Sequence, residues 1–394
     1  MTDDIKKIAE ELFQDIIRMR RELHMYPEEG YKEFRTSEYI ARVLRNAGIE
    51  TTTGIAGTGV VGIIKGEAGD GKTIMLRADI DANTIREEVQ CEYTSKVDGM
   101  MHACGHDGHT ASLLGTALIL SRLKDKLKGN VKLVFQPAEE KLTGARKMIE
   151  EGVLDNPKVD ACLGMHLWPS IPSGKIIAKA GPVLSAGDFF DIKITGKSGH
   201  GSQPHFTVDP ISAGSKLLNE LYTTVIRKID PSEAAVISVC SFNAGSYYNI
   251  IPDTAELKGT IRSFKKEVQD KIHKNMQFAA DKIGDAEGVK IDLAIHKLVD
   301  VTENDSVLAS LVRNSIKKIA GEDSLEDNVA PSTGCEDFSF YSQKVPGVFL
   351  LVGCGFPDKA DNSPLHSSTF QMDENCLLLS VQVFVQAVCD YLLS

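Results

Sequence analysis

The sequence predicts an α/β chain in two parts: a largely parallel sheet flanked by helices, and an α+β unit inserted into it. Three observations carry this expectation. Apolar runs that read as strands alternate with helical segments up to about residue 185. Near Ala186 the pattern switches to period-two strands in the order βαββαβ, the ferredoxin-like split arrangement. After Leu298 helix and strand alternate again to the C-terminus. The boundaries therefore read 1–185 for the first part of the larger domain, 186–298 for the insert and 299–394 for the second part.

The elements follow in order. "MTDDIKKIAEELFQDIIRMRREL" reads as an amphipathic helix carrying charge along its whole length. "GVVGIIKG" and "KTIMLRADIDA" are strands, the second an apolar run ending in two acids. "TASLLGTALILSRLKDKL" is a buried helix, "VKLVFQ" a strand, "TGARKMIEEGVL" a helix and "DACLGMHLW" a strand. In the insert, "DFFDIKITG" alternates with period two. Helix "PISAGSKLLNELYTTVIRKI", strands "AVISVCSFN" and "TAELKGTIRSF", helix "KKEVQDKIHKNMQFAADKIG" and strand "VKIDLAIH" follow. Helix "SVLASLVRNSIKKIAG", strand "VPGVFLLVGCG" and an apolar helix from Asp373 close the chain.

Composition narrows the function classes. The 394 residues are 42% hydrophobic and 25% charged, an ordinary globular balance. A net charge of −11 repels phosphate backbones, so no nucleic-acid partner is expected. The N-terminus lacks the apolar centre of a signal peptide, and no run of about 18 apolar residues is read anywhere, so no membrane partner is expected and the cytoplasm is the default location. The eight cysteines are scattered, with no CxxC and no dense disulfide framework.

Chemistry collects at strand ends, where ligands bind in open α/β sheets. "TIMLRAD" delivers Asp79, "VKLVFQPAEE" delivers Glu139 and Glu140, and "DACLGMHLW" delivers His166. "HACGHDGH" precedes the buried helix, so its residues open on the same edge, and "NSPLHSSTF" adds His366 from a later loop. Cys104 and His106 flank Gly105, so one tight turn can aim both at a common point. Thiolate with imidazole suits borderline-soft divalent ions such as Zn, Mn, Co or Ni. A buried cysteine beside a helix start is the plain alternative. His102 is placed to orient a ligand, Asp107 to cap the helix and His109 in its first turn. Adjacent glutamates leave the backbone in different directions, so one can hold a metal while the other takes a proton from water; an exposed acidic pair after Pro137 is the plain reading.

"MLRADIDA", "HACGHDGHTA", "FQPAEE", "MHLWP", "GKSGHGSQPH", "NIIPDTAELKGTIRSF" and "EDFSFY" occur in the order found in one family. On these motifs the chain resembles the M20 metallopeptidase clan, in its amidohydrolase branch, from about Arg20 to the C-terminus. The resemblance implies a dinuclear metallohydrolase domain that cleaves the amide bond of N-acylated amino acids, using two divalent metal ions. It implies that Cys104 bridges the ions, that His106, Glu140, His166 and His366 complete the ligands, and that Glu139 is the general base. Asp79 then supports a metal ligand, and Asn249 and Arg262 contact the substrate carboxylate. The resemblance further implies a homodimer through the inserted domain, with His200 reaching the partner's active site to stabilise the oxyanion; a surface-loop histidine is the plain alternative. Two departures from the family pattern bear on substrate preference: "DANT" at 81–84 in place of the usual "DALP", and "KLTGA" after "AEE" in place of a glycine-rich run. The competing readings are a dipeptidase or carboxypeptidase-like peptidase of the same clan, and a non-catalytic metal-dependent binding protein. The complete ligand-and-base set argues against the last.

Overall fold

The computed structural model describes residues 1–359 and 361–393. In chain order the helices are α1 (Thr2–His24), α2 (Phe34–Asn46), α3 (His106–Arg122), α4 (Gly144–Glu150), α5 (Pro210–Glu220), α6 (Lys266–Glu287), α7 (Ser306–Ala320), α8 (Ser339–Ser342) and α9 (Asn375–Leu392). The strands are β1 (Glu50–Ile55), β2 (Gly59–Lys65), β3 (Thr73–Asp79), β4 (Asn130–Gln136), β5 (Ala161–Pro172), β6 (Ile176–Ile177), β7 (Gly181–Leu184), β8 (Ala186–Thr195), β9 (Gly199–His200), β10 (Ala235–Ala244), β11 (Ile250–Ile251), β12 (Thr254–Ser263), β13 (Lys290–Val299), β14 (Thr302–Asn304) and β15 (Gly347–Gly355). The chain divides into two compact units, one of Met1–Val183, Glu303–Ala330 and Asp337–Ser394, the other of Leu184–Thr302 and Pro331–Glu336.

The first unit is built on a seven-stranded sheet, ordered β1-β2-β4-β3-β5-β15-β6. Its four central strands run parallel, β4 with β3, β3 with β5 and β5 with β15. The flanks are antiparallel: β1 to β2, β2 to β4 and β6 to β15. The parallel centre is as the alternating pattern implies. The antiparallel "GVVGIIKG" strand has a local cause, since the short link from β2 to β3 leaves no room for a crossover that would restore direction. β1, "ETTTGI", shows no apolar run because it is a largely exposed edge strand.

Parallel strands bring their carboxyl ends to one edge. Asp79 ends β3 opposite Gln136 at the end of β4, and His166 on β5 lies opposite Leu351 on β15. The helix α3 starts on this edge. It is buried on nearly every side, its polar residues Asp107, His109, Thr110, Ser112 and Thr116 included, and α1 and α9 pack against it. α9 is long and apolar enough, by length and composition, to cross a membrane. The helix is not an unbroken apolar run, since Asn375, Ser380, Gln382, Gln386 and Asp390 interrupt it, and it is core, with Leu377, Val381, Phe384, Val385 and Val388 buried. Each such side chain contributes about 1.5–3 kcal/mol through burial.

In the second unit the sheet is ordered β10-β12-β8-β13, with every neighbouring pair antiparallel. β8 alternates as its sequence does: Phe190, Ile192 and Ile194 face the core with Leu217, Leu257, Ile272 and Met276, while Phe189 is exposed. Buried Asp188 ties β8 to α6, accepting from Gln269 Nε2 at 2.9 Å and meeting His273 Nε2 at 2.6 Å. α5 starts at Asp209, whose side chain accepts from the Ile211 and Ser212 amides, with Pro210 in the first turn. A small ladder pairs β9 with β11, setting His200 opposite Ile250.

Candidate active site

The "HACGHDGH" run folds as a turn entering α3. Gly105 has φ +85, the left-handed conformation that glycine adopts without cost, and it caps α3. The turn aims Cys104 and His106 to the same side. At Gly108 a Cβ would lie 2.5 Å from Leu167 Cδ1, so any larger residue would have to displace the Leu167 side chain. Asp107 is not a cap. Its buried carboxylate forms an ion pair with Arg20, 2.8 Å from Nε, and faces His24 Nδ1 at 2.7 Å.

Five donors from four segments converge. Cys104 Sγ lies 3.3 Å from His166 Nε2 and 3.2 Å from His366 Nε2. His366 Nε2 lies 3.2 Å from Glu140 Oε1. His106 Nε2 lies 3.8 Å from both Glu139 Oε2 and Glu140 Oε1, and 3.7 Å from Asp79 Oδ2. The donors thus form one group of Cys104, His106 and His166 and another of Cys104, Glu140 and His366, each spanning at most 4.8 Å. Cys104 belongs to both groups.

The imidazoles are held in one tautomer. His106 Nδ1–H donates to the Asp81 carbonyl at 3.0 Å and His166 Nδ1–H to the Leu167 carbonyl at 2.8 Å, which leaves both Nε2 atoms as ligands. His109, in the first turn of α3, accepts from the Leu167 amide at 2.9 Å through Nε2, so its Nδ1–H donates to Asp79 Oδ1 at 2.6 Å. Arg77, fully buried, grips Asp79 Oδ2 and Asp337 Oδ1 at 2.9 Å each and donates to Gln136 Oε1. Gln136 and the Ala145 amide also donate to Asp337. The ends of β3 and β4 are therefore cross-tied beneath the donors.

The residues present fit metal ions on two counts. His106 Nε2 is buried without a hydrogen-bond partner, although it faces carboxylates. The cluster is also rich in anions, which a cation would balance. Burial pushes the Cys104 thiol well above its ordinary value, and Glu140, Glu139 and Asp79 push the same way. Burial opposes charge on His106, yet Asp79, Asp81 and Glu140 outweigh it and raise the imidazole to about 10. Burial likewise opposes charge on Glu140, but the hydrogen bond to His366 and the nearby His106 lower it to about 2. Metal binding requires the deprotonated forms of these groups, so it competes with protons for them.

Backbone strain marks the same loops. Ala138, Leu142 and His366 have φ +53, +52 and +61, values that cost a residue with a Cβ roughly 1–2 kcal/mol each. Such strain persists only where surrounding contacts impose it. Sequence reasoning missed Asp81 as a site residue. Its carboxylate accepts from the Glu139 and Glu140 amides at 3.1 Å each, and Oδ1 lies 3.3 Å from His106 Nδ1. The available signal was a second acid two residues past Asp79, on a segment leaving the same strand.

The remaining sequence candidates are His102, His200, Asn249 and Arg262. His102 is buried beside these residues with neither ring nitrogen hydrogen-bonded, and burial lowers it to about 3. His200 is exposed on β9; the Ser202 amide donates to its Nδ1 at 3.1 Å, which leaves the proton on Nε2. Asn249 precedes β11, its carbonyl accepting from the Gly201 amide at 2.8 Å. Arg262 is half-buried on β12 and donates to Thr260 Oγ1 and the Ile261 carbonyl.

Known proteins with this arrangement fall together. The sequence pattern described as peptidase family M20/M25/M40 matches residues 75–390. The chain belongs to that family. It is 40% identical to thermostable carboxypeptidase 1 of Saccharolobus solfataricus, over 96% of each chain. It is 38% identical to N-acetylcysteine deacetylase of Bacillus subtilis, over 94% of this chain and 95% of that one. A crystal structure of a dinuclear metal-binding M20 peptidase from Bacillus subtilis superposes with a TM-score of 0.85 at 35% identity, covering 97% and 99% of the two chains. This M20 member is accordingly a metal-dependent hydrolase of amide bonds, with a site for two divalent ions.

Proposed function

We propose that the enzyme removes the acyl group from N-acylated amino acids, releasing a carboxylic acid and a free amino acid. The observation that carries this is the position of Cys104, shared between two donor groups, with the Glu139 carboxylate 3.8 Å from His106 Nε2 of one of them. Cys104, His106, Glu140, His166 and His366 would hold the two ions, Cys104 being common to both donor groups. Mn, Zn, Co and Ni all suit this mixture of sulfur, nitrogen and oxygen. The ions supply Lewis acidity toward water and the amide carbonyl. Glu139 takes the proton of the attacking water and returns it to the leaving nitrogen. Asp81 and His109 keep the donors oriented, and Asp79 supports them through His109.

The second unit serves in this reading as an inserted lid and dimerisation domain; its βαββαβ order and a sheet ending at the exposed strand β10 support that. The partner subunit's His200 stabilises the oxyanion, for which an Nε2 proton is the required state. Asn249 and Arg262 bind the substrate carboxylate, Arg262 as a charged fork. His102, expected to orient a ligand, makes no hydrogen bond through its ring and is given no support role. Eight free cysteines suit a reducing, cytoplasmic setting.

The relative named a carboxypeptidase favours a second reading, cleavage of peptides. A panel of acetyl-, benzoyl- and aminoacyl-amino acids, assayed with metal-reconstituted enzyme by release of amino acid, separates the two. Preference for acetyl or benzoyl substrates supports the proposal, and preference for substrates with a free α-amine contradicts it.

A further inference from the structure

β4 ends at Gln136, and Pro137 follows without an amide hydrogen. The next three residues, Ala138, Glu139 and Glu140, form the turn that carries both carboxylates. Their three successive amides all end on buried carboxylates. Asp81 takes those of Glu139 and Glu140, and Glu33 Oε1 takes that of Ala138 at 2.9 Å. Glu33 is fully buried, and its other oxygen accepts from Thr58 Oγ1 at 2.5 Å.

A buried carboxylate is costly, and an apolar residue of similar size would fill the space with less penalty. Glu33 spends that cost on one hydroxyl and one strained amide. Ala138 holds φ +53, and without an acceptor its amide would be orphaned as well as strained. Relaxation of Ala138 toward negative φ would swing the next two side chains away from Cys104 and His106. We propose that Glu33 is a positioning residue for the reaction: by gripping the Ala138 amide it fixes the turn that aims Glu139 and Glu140. Thr58, in the turn between β1 and β2, fixes the carboxylate in turn. This rests on the roles assigned above to Glu139 and Glu140.

The experiment compares Glu33→Asp, Glu33→Gln, Thr58→Val and Glu139→Gln in the metal-loaded enzyme, reading kcat, KM, bound metal and unfolding temperature. Asp keeps the charge but falls one methylene short of Ala138, so kcat should drop by about tenfold or more, as small misplacements of catalytic groups do, with KM nearly unchanged. Gln keeps an oxygen for the Ala138 amide and should restore most of kcat. A Glu33→Asp enzyme with a lowered unfolding temperature and wild-type kcat overturns the proposal, leaving Glu33 a merely stabilising residue. If Glu33→Asp does not fold, Thr58→Val decides: a severalfold loss of kcat at constant KM and metal content supports the proposal, and unchanged kcat overturns it. Glu139→Gln separates the two layers. If it turns over normally, the assignment of Glu139 has failed; if it is inactive while Glu33→Asp is unimpaired, the Glu33 proposal alone has failed.

Discussion

Replacing Asp81 by asparagine changes no volume and no apolar contact, so it isolates one carboxylate. In the native chain the two oxygens serve two consecutive amides, Glu139 through Oδ1 and Glu140 through Oδ2, at 3.1 Å each. Asparagine keeps one acceptor and turns an NH2 group toward the other amide. One hydrogen bond to a charged acceptor, about 1.5–3 kcal/mol, is lost, and a buried amide left facing a donor adds about 1–3 kcal/mol. The expected loss is on the order of 3 kcal/mol, which lowers the unfolding temperature by about 6–12 °C for a unit of this size. The same change loosens the turn that aims both glutamates, so kcat should fall about a hundredfold. Thermal unfolding and initial rates on metal-loaded protein measure both. An Asp81→Asn enzyme within threefold of wild-type kcat would refute the idea that this carboxylate orients the pair.

Other expectations follow from single contacts. Asn304 accepts from the Phe349 amide at 2.6 Å and donates to the Lys179 and Phe349 carbonyls, so Asn304→Ala should cost about 3 kcal/mol in chemical denaturation with kcat unchanged. His109→Gln cannot both donate to Asp79 and accept from Leu167 in the native geometry, and should weaken metal affinity about 10–100-fold in chelator competition. His24 loses from burial and from Arg20, but gains more from Asp107 and Glu87, so its native value is raised. Its charged form therefore stabilises the fold fully below the unfolded value near 6.5, and the contribution fades as pH rises through the raised native value. The stability gap between wild type and His24→Gln should accordingly be widest in mildly acidic solution and narrow above neutrality.

What the sequence revealed and what it hid have physical reasons. Apolar strands ending in acids announce a parallel edge, which is why Asp79, Glu139, Glu140 and His166 could be named from order alone. The antiparallel flank was hidden because direction depends on the length of the link between β2 and β3, whereas apolar content is the same either way. α3 was visible as an apolar segment, yet it starts four residues earlier than its apolar run, at His106, because Gly105 supplies the left-handed cap. Asp107 read as a cap, because acids are common there; only the fold brings Arg20 and His24 to it from α1. Asp81 and Glu33 act through backbone amides of residues far along the chain, and such pairings leave no mark in local spacing. His109 was visible in the first turn of α3, but its role was not, since its two partners come from β3 and β5.

The central claim is that one buried cysteine shared by two donor groups holds a pair of ions beside a proton-transferring glutamate. Metal analysis of purified Glu139→Gln protein after dialysis, paired with its turnover, tests this directly. The account predicts two divalent ions per chain, as in the wild type, with turnover abolished. One ion or none at saturation, or turnover at the wild-type rate, would contradict it.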